Sequence, residues 1–342
     1  MKTVYSDKHH LHAPPKEFLA GELVDNFEKP QRAEFVLEAV KERNFGEIIE
    51  PSEFPIEHIL KIHTKDYIDF LMNGFDEWSK IYSSNAFATA FNIQHGCKRP
   101  PKAIEGKLGY YLADTSLSLT ETSWEALKVS TDIALTAQKL MLNGEKTAFA
   151  LCRPPGHHAS ASFGAGYCFL NNVAIATQYA LDNGAKRIAI LDIDYHHGNG
   201  TQDIFYSRDD VLFLSIHGDP NEEFPYFLGH ADEKGNGLGL GYNYNYPLPM
   251  KSDWKEYKKA LESAINEIHT YKPDQIIVSL GVDTYKDDPI SQFLLENKNY
   301  FEIGSMIKEI NIPTLFIMEG GYAVQEIGIN VANVLEGFTK SI

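Results

Sequence analysis

Apolar positions along this chain follow two periods in turn. Thr147–Leu151, Ile188–Leu191, Val211–Ile216, Gln275–Leu280 and Thr314–Met318 are short, nearly continuous apolar runs, the pattern of strands buried on both faces. Between them the spacing turns helical. Ala126, Val129, Ile133, Ala137 and Leu140 share one face ahead of Asn143-Gly144, and Trp254, Tyr257, Leu261, Ile265 and Ile268 share another that stops at Lys272-Pro273. Further helices are expected over Gln31–Arg43 behind Pro30, Val173–Asp182, Gln202–Tyr206 and Phe301–Ile310, with a last one closing near Phe338. Lys2–Tyr5 reads as a short strand, and Ile56–Ile62 and Asp66–Leu71 as short helices. Thr122-Ser-Trp-Glu125 resembles a capping box. Strands alternating with helices predict one α/β domain over 1–342, a mostly parallel multi-stranded sheet with helices on both faces.

Elsewhere the pattern weakens. Residues 79–121 are rich in Ser, Asn and Pro, which in a compact domain reads as a functional insertion. His9, His10 and His12 lie in a polar leader and are expected at the surface, while Glu17 and Glu22 flank a loop. The glycines of 235–241 lack the dinucleotide-binding fingerprint and the helix that would follow it, so they are read as turns.

Polar residues with chemical potential fall just after the strands. Asp192 to Phe205 reads DIDYHHGNGTQDIF. In extended backbone, side chains two apart point the same way, so Asp192, Asp194 and His196 form a chelating edge. Asp-x-Asp at a strand end is often only a loop anchor. Here no Lys or Arg stands nearby to balance the anionic oxygens, which favours a metal cation. His157 and His158, Asp283 and Tyr322 also follow predicted strands. In a parallel sheet all carboxyl ends share one edge, so these loops converge although they are distant in sequence.

Bulk properties narrow the alternatives. With 342 residues, 43% hydrophobic and 23% charged, the chain is long enough for a large core and is not disordered. A formal net charge of −16 argues against nucleic acid and suits the steering of a small cation. Cys97, Cys152 and Cys168 form an odd, sparse set that fits a reducing compartment. The amino terminus has no apolar signal region, and no segment is long enough to span a bilayer. The expectation is a soluble cytoplasmic protein.

PPGHHA, DIDYHHGNGT, LGVDTYKDDP and MEGGY, in this order and each after a predicted strand, resemble the histone deacetylase superfamily of arginase-like, metal-dependent amidohydrolases. Within it the acetylpolyamine amidohydrolase branch is most similar, over nearly the whole length. The resemblance implies that Asp194, His196 and Asp283 ligate one Zn²⁺, with Fe²⁺ as a cellular alternative. It further implies that His157 and His158 are an acid–base pair, with Asp192 behind His157, and that Tyr322 is the electrophilic helper. A structural K⁺ near Asp192, Asp194, His196 and Ser215 is implied too. Asn199 stands where some branches carry an aspartate beside the second histidine. Tyr167 and Phe224 match an aromatic pair lining the substrate channel, and Glu17 and Glu105 match acidic positions facing a distal cation. In relatives the long insertion promotes dimerisation, which implies a homodimer through 79–121.

Three protein ligands leave one tetrahedral position open, the mark of a catalytic zinc. Two aspartates offset much of the ion's charge, so its water needs a base, and His158 is the candidate. An arginase-like dinuclear site would require further carboxylates, but Gly198, Gly281 and Tyr285 occupy those spacings. The expected reaction removes acetate from small cationic acetylated amines of the acetylputrescine, acetylcadaverine and acetylspermidine type. A lysine deacetylase acting on proteins and a silent member that only binds acylated ligands are the alternatives. Cys168 lies beside Tyr167, so its oxidation would affect activity, but nothing in the sequence shows a lowered thiol pKa.

Overall fold

The computed structural model describes residues 1–91 and 99–340; Cys97 and part of the expected insertion lie outside them. The strands are β1 (Lys2–Val4), β2 (Lys16–Leu19), β3 (Glu22–Asp25), β4 (Ile48–Ile49), β5 (Ala86–Phe87), β6 (Ser118–Leu119), β7 (Thr147–Ala150), β8 (Ile188–Asp192), β9 (Val211–Gly218), β10 (Asn243–Leu248), β11 (Gln275–Leu280) and β12 (Thr314–Met318). Eight of them form one sheet in the order β10-β9-β8-β11-β12-β7-β1-β4, and every neighbouring pair is parallel. Because β1 lies between β7 and β4, the N-terminal segment belongs to the same sheet as the rest.

The helices are α1 (Gln31–Glu42), α2 (Glu57–Leu60), α3 (Lys65–Ser79), α4 (Ile104–Tyr111), α5 (Ser123–Leu142), α6 (Asn172–Asp182), α7 (Asn199–Phe205), α8 (Trp254–Tyr271), α9 (Asn297–Glu309) and α10 (Val324–Thr339). Strand parity divides the core. Ala148, Ile188, Ile190, Phe213, Ile277 and Leu315 pack with α5 and α6 on one face. Their alternates Phe149, Ala189, Leu191, Leu214, Val278 and Phe316 pack with α1, α8, α9 and α10 on the other. The continuous apolar runs therefore arise because each strand is covered twice.

Several expectations change. The polar leader is folded inward: His9 and His12 are buried, and only His10 is exposed. Tyr5 Oη lies 3.0 Å from His9 Nε2, and His12 Nδ1 lies 2.9 Å from Ser123 Oγ. The capping box at Thr122 does not form, because Thr122 donates to the Leu11 carbonyl and Ser123 is taken by His12. Asp253 instead caps α8, with Glu256 reciprocating. The loop expected between Glu17 and Glu22 is an antiparallel β2–β3 hairpin turning at Ala20-Gly21. The third helix continues to Ser79. Residues 79–121 contain α4 and the antiparallel β5–β6 pair. Edge strand β10, whose polar Asn and Tyr side chains hid it in the sequence, pairs with β9.

Candidate active site

From β8 the chain builds outward through β9 and β10, then returns to β11 on the other side. The carboxyl ends of β8 and β11 thus flank a topological switch point, where open α/β sheets leave a crevice. Four adjacent strands, β8, β11, β12 and β7, carry the loops read above as chemically rich. Their adjacency is why residues up to 165 positions apart meet, from His157 to Tyr322.

β8 ends at Asp192, yet the alternation runs on through the bends that follow. Ala189, Leu191, Ile193 and Tyr195 stay in the core of one face, while Asp192, Asp194 and His196 turn the other way. Asp192 separates from the other two: its Oδ2 lies 3.0 Å from His157 Nδ1. Asp194, His196 and Asp283 converge, with one ligand atom from each all within 4.8 Å. His196 Nδ1 is 3.0 Å from Asp283 Oδ2 and 3.5 Å from Asp194 Oδ1. Main-chain N–H groups fix the carboxylates: Asp194 accepts from His196 (2.9 Å) and Gly320 (2.8 Å), and Asp283 accepts from Tyr195 (2.7 Å). A Cβ at Gly281 would stand 2.0 Å from Asp194 Oδ2, and one at Gly320 would stand 2.5 Å from it. Those glycines let backbone wrap the anionic pocket.

The donor set fits a divalent ion. Asp194 and Asp283 are both fully buried, and among the described residues neither forms an ion pair with Lys or Arg. Against burial, which alone would lower it, the two aspartates hold His196 well above the ordinary histidine range. The pocket thus calls for positive charge, and two oxygens and an imidazole nitrogen are ligands that zinc accepts. A second trio, His157, Cys168 and Glu319, also lies within 4.8 Å, but His157 Nδ1 and Glu319 Oε2 are engaged and the Cys168 thiol is held protonated. Glu319 Oε2 accepts from the Gly156 (2.6 Å) and His157 (3.1 Å) N–H groups. Burial pushes the Cys168 thiol well up, which leaves it unreactive.

His157 and His158 stand over the pocket with ring centroids 4.0 Å apart, in opposite electrostatic settings. Burial would lower His157, but Asp194 and Asp192 carry it up to about 10. Burial, then the neighbouring imidazoles of His157 and His196, hold His158 well below its ordinary value. Its Nδ1 lies 2.7 Å from Asn199 Oδ1, an uncharged partner. Burial keeps the Tyr322 phenol protonated.

His158, His196 and Tyr322 line a cleft of about 270 Å³ whose walls include Glu17, Asp114, Tyr167, Glu223, Phe224 and Tyr226. Tyr167 donates to Glu17 Oε1 (2.9 Å), and its ring is 5.5 Å from that of Tyr322. Phe224 lies edge-on to His158 at 5.0 Å. Ser215 pairs in register with Asp192. Glu17, which bare composition would leave at the surface, is only 1% exposed. Glu105 is not brought to the cleft: it lies at the surface of α4 and accepts from Tyr82 (2.6 Å).

The matching family is the histone deacetylase domain, over residues 26–338. This chain belongs to the histone deacetylase family. The family consists of metal-dependent hydrolytic deacetylases, consistent with the cation-seeking pocket. The chain is 53% identical to acetylpolyamine amidohydrolase 1 of Pseudomonas aeruginosa, covering 99% of both proteins. It is 46% identical to an acetylpolyamine amidohydrolase of Mycoplana ramosa, over 98% of this chain and 99% of that one. A crystal structure of the acetylpolyamine aminohydrolase from Burkholderia pseudomallei superposes with a TM-score of 0.94 at 36% identity, over 99% of this chain and 98% of that one. The fold of this family member therefore matches the single α/β domain expected from the sequence. Among the described residues no helix is long and apolar enough to cross a membrane.

Sequence reading passed over several residues that shape the site. Asp114 and Glu223 line the cleft. Arg32, from α1, donates to the Glu319 and Gly321 carbonyls (both 2.6 Å) and lies 4.7 Å from the Tyr322 ring centroid. It is held by buried Glu28 (2.7 Å), which also faces Arg153 (2.9 Å). The one available signal is position, since Glu319 directly follows a fully buried strand.

Proposed function

We propose that this chain hydrolyses small acetylated diamines or polyamines, of the acetylputrescine, acetylcadaverine and acetylspermidine type, to acetate and free amine. Asp194, His196 and Asp283 would hold the metal, Zn²⁺ being the ion their donor set favours, with Fe²⁺ the cellular alternative. The observation that carries this reading is a buried acid, Glu17, in an aromatic-walled cleft that His196 of the metal-type trio also lines. The names of the relatives support it.

When bound, the ion supplies Lewis acidity that polarises an acyl carbonyl and acidifies a water. The side chains do the rest. With Asn199 Oδ1 accepting from Nδ1–H, His158 keeps an Nε2 lone pair that takes a proton from the attacking water. Tyr322 donates its O–H to the oxyanion developing on the acyl carbon. His157, held protonated by Asp194 and Asp192, keeps a proton beside the departing amine. Tyr167 and Phe224 line the path of the aliphatic linker, and Glu17 receives the distal ammonium. Asp192 and Ser215, adjacent in register, support a structural K⁺ site together with Asp194 and His196. A homodimer through 79–121 is supported by apolar surface on the hairpin and that stretch, including Phe18, Leu23, Ile81 and Phe91.

The deciding experiment compares acetylputrescine, acetylcadaverine and acetylspermidine with an acetyl-lysine peptide at equal metal loading. The amines are expected to give the higher kcat/KM; preference for the peptide would replace this reading with a protein lysine deacetylase. A pH dependence follows from Glu17, whose burial pushes its carboxyl up to about 7. It is neutral below that pH and anionic above, while an alkylammonium near pKa ~10 stays charged throughout. From pH 6 to 8, KM for acetylputrescine is therefore expected to fall by about tenfold relative to a neutral acetanilide. In Glu17→Gln the ratio should be flat; a native slope there would remove Glu17 from cation recognition.

A further inference from the structure

We propose that Asp288 is a positioning residue for Tyr322, holding the main chain of the β12 loop so that the phenol reaches the floor of the cleft. Asp288 lies on the loop after β11 and is 6% exposed. Its Oδ2 accepts from the N–H groups of Tyr322 (2.7 Å) and Ala323 (3.1 Å). Its Oδ1 accepts from Ile290 (3.1 Å), which itself lines the cleft. One carboxylate thus ties the loop that presents the phenol to the loop that forms part of the wall.

The turn needs such a tie. Gly320-Gly321 has no side chains to pack, and Gly321 sits at φ +128°. From inside, Arg32 takes the carbonyls of Glu319 and Gly321. On its outer side the turn borders a cavity of about 630 Å³ lined by Phe27, Phe35, Asp287, Pro289 and Val324 among others. Packing therefore does not fix it from that direction. Arg32 holds the Glu319 and Gly321 carbonyls and Asp288 the Tyr322 and Ala323 N–H groups, and charge-assisted bonds of this kind are short and directional. A phenol that must meet a developing oxyanion tolerates little displacement.

This inference rests on the role given to Tyr322 above, so its test is a double-mutant cycle in the zinc-loaded enzyme with acetylputrescine. Asp288→Ala is expected to lower kcat by about tenfold or more, with KM within about threefold of native. In a Tyr322→Phe background the same change should cost less than about twofold, because no hydroxyl remains to be placed. Asp288→Asn keeps one carbonyl oxygen and should recover part of the loss; it also replaces Asp288→Ala in the cycle should that variant not fold. An equal cost in both backgrounds would mean a merely structural role and overturn the inference, as would native kcat in both Asp288 variants. Native turnover by Tyr322→Phe alone is a separate failure, which strikes the role of Tyr322 itself.

Discussion

Asp283→Asn should give a folded protein that no longer retains its metal or its activity. The amide keeps the shape of the side chain and an oxygen able to accept from the Tyr195 N–H, so the local fold has its partner. What disappears is one of the two buried negative charges facing His196. A divalent ion entering this dry pocket would find a single anionic ligand, and its desolvation would be poorly offset. Affinity should fall by more than the roughly ten- to hundredfold typical of losing an outer partner. Chelator competition on the apo protein reads this directly. A thermal shift provides a second readout, since an ion that binds only the folded state raises Tm. Added zinc should raise Tm of the native chain and not that of the variant. Native zinc affinity in Asp283→Asn would exclude Asp283 as a ligand.

Tyr322→Phe should retain the metal and lose roughly a hundred- to a thousandfold in kcat, the usual cost of removing one oxyanion donor. The hydroxyl contributes in the transition state more than in the bound substrate, so KM should move little. The ring stays under the Arg32 guanidinium and beside Tyr167, so packing is preserved. Near-native kcat with full zinc occupancy would take Tyr322 out of the mechanism.

The parts of this site legible in the sequence are those tied to a period. Ile188–Leu191 and Ile276–Val278 are apolar because helices cover both faces, and such runs mark strand ends where Asp192 and Asp283 follow. Alternation even predicted that Asp194 and His196 share a side, although β8 has ended before them. What stayed hidden depends on partners far along the chain. His12 is buried because Ser123 waits for it 111 positions away, and the same contact spoils the capping box. Glu17 looks like any surface glutamate until Tyr167 closes over it from 150 positions away. Glu105 matched an acidic position by resemblance, yet its own chain turns it toward Tyr82 and away from the cleft. No local pattern encodes such pairings, because only the assembled sheet creates them.

The hairpin that carries Glu17 has a further consequence. Apart from Glu17 and the intermediate Val24 it contributes little to the core, and Phe18, Leu19 and Leu23 are exposed. The reacting groups hang instead from four neighbouring strands whose interiors are fully packed. If Glu17 selects the amine as proposed, choice of amine and cleavage of the amide fall to separate parts of the fold. Natural variation can rewrite the hairpin's length, charge or aromatic content at small thermodynamic risk, whereas the hydrolytic centre can drift only if the whole sheet drifts with it. A lineage built on this scaffold is free to diversify its diet while its chemistry stands still.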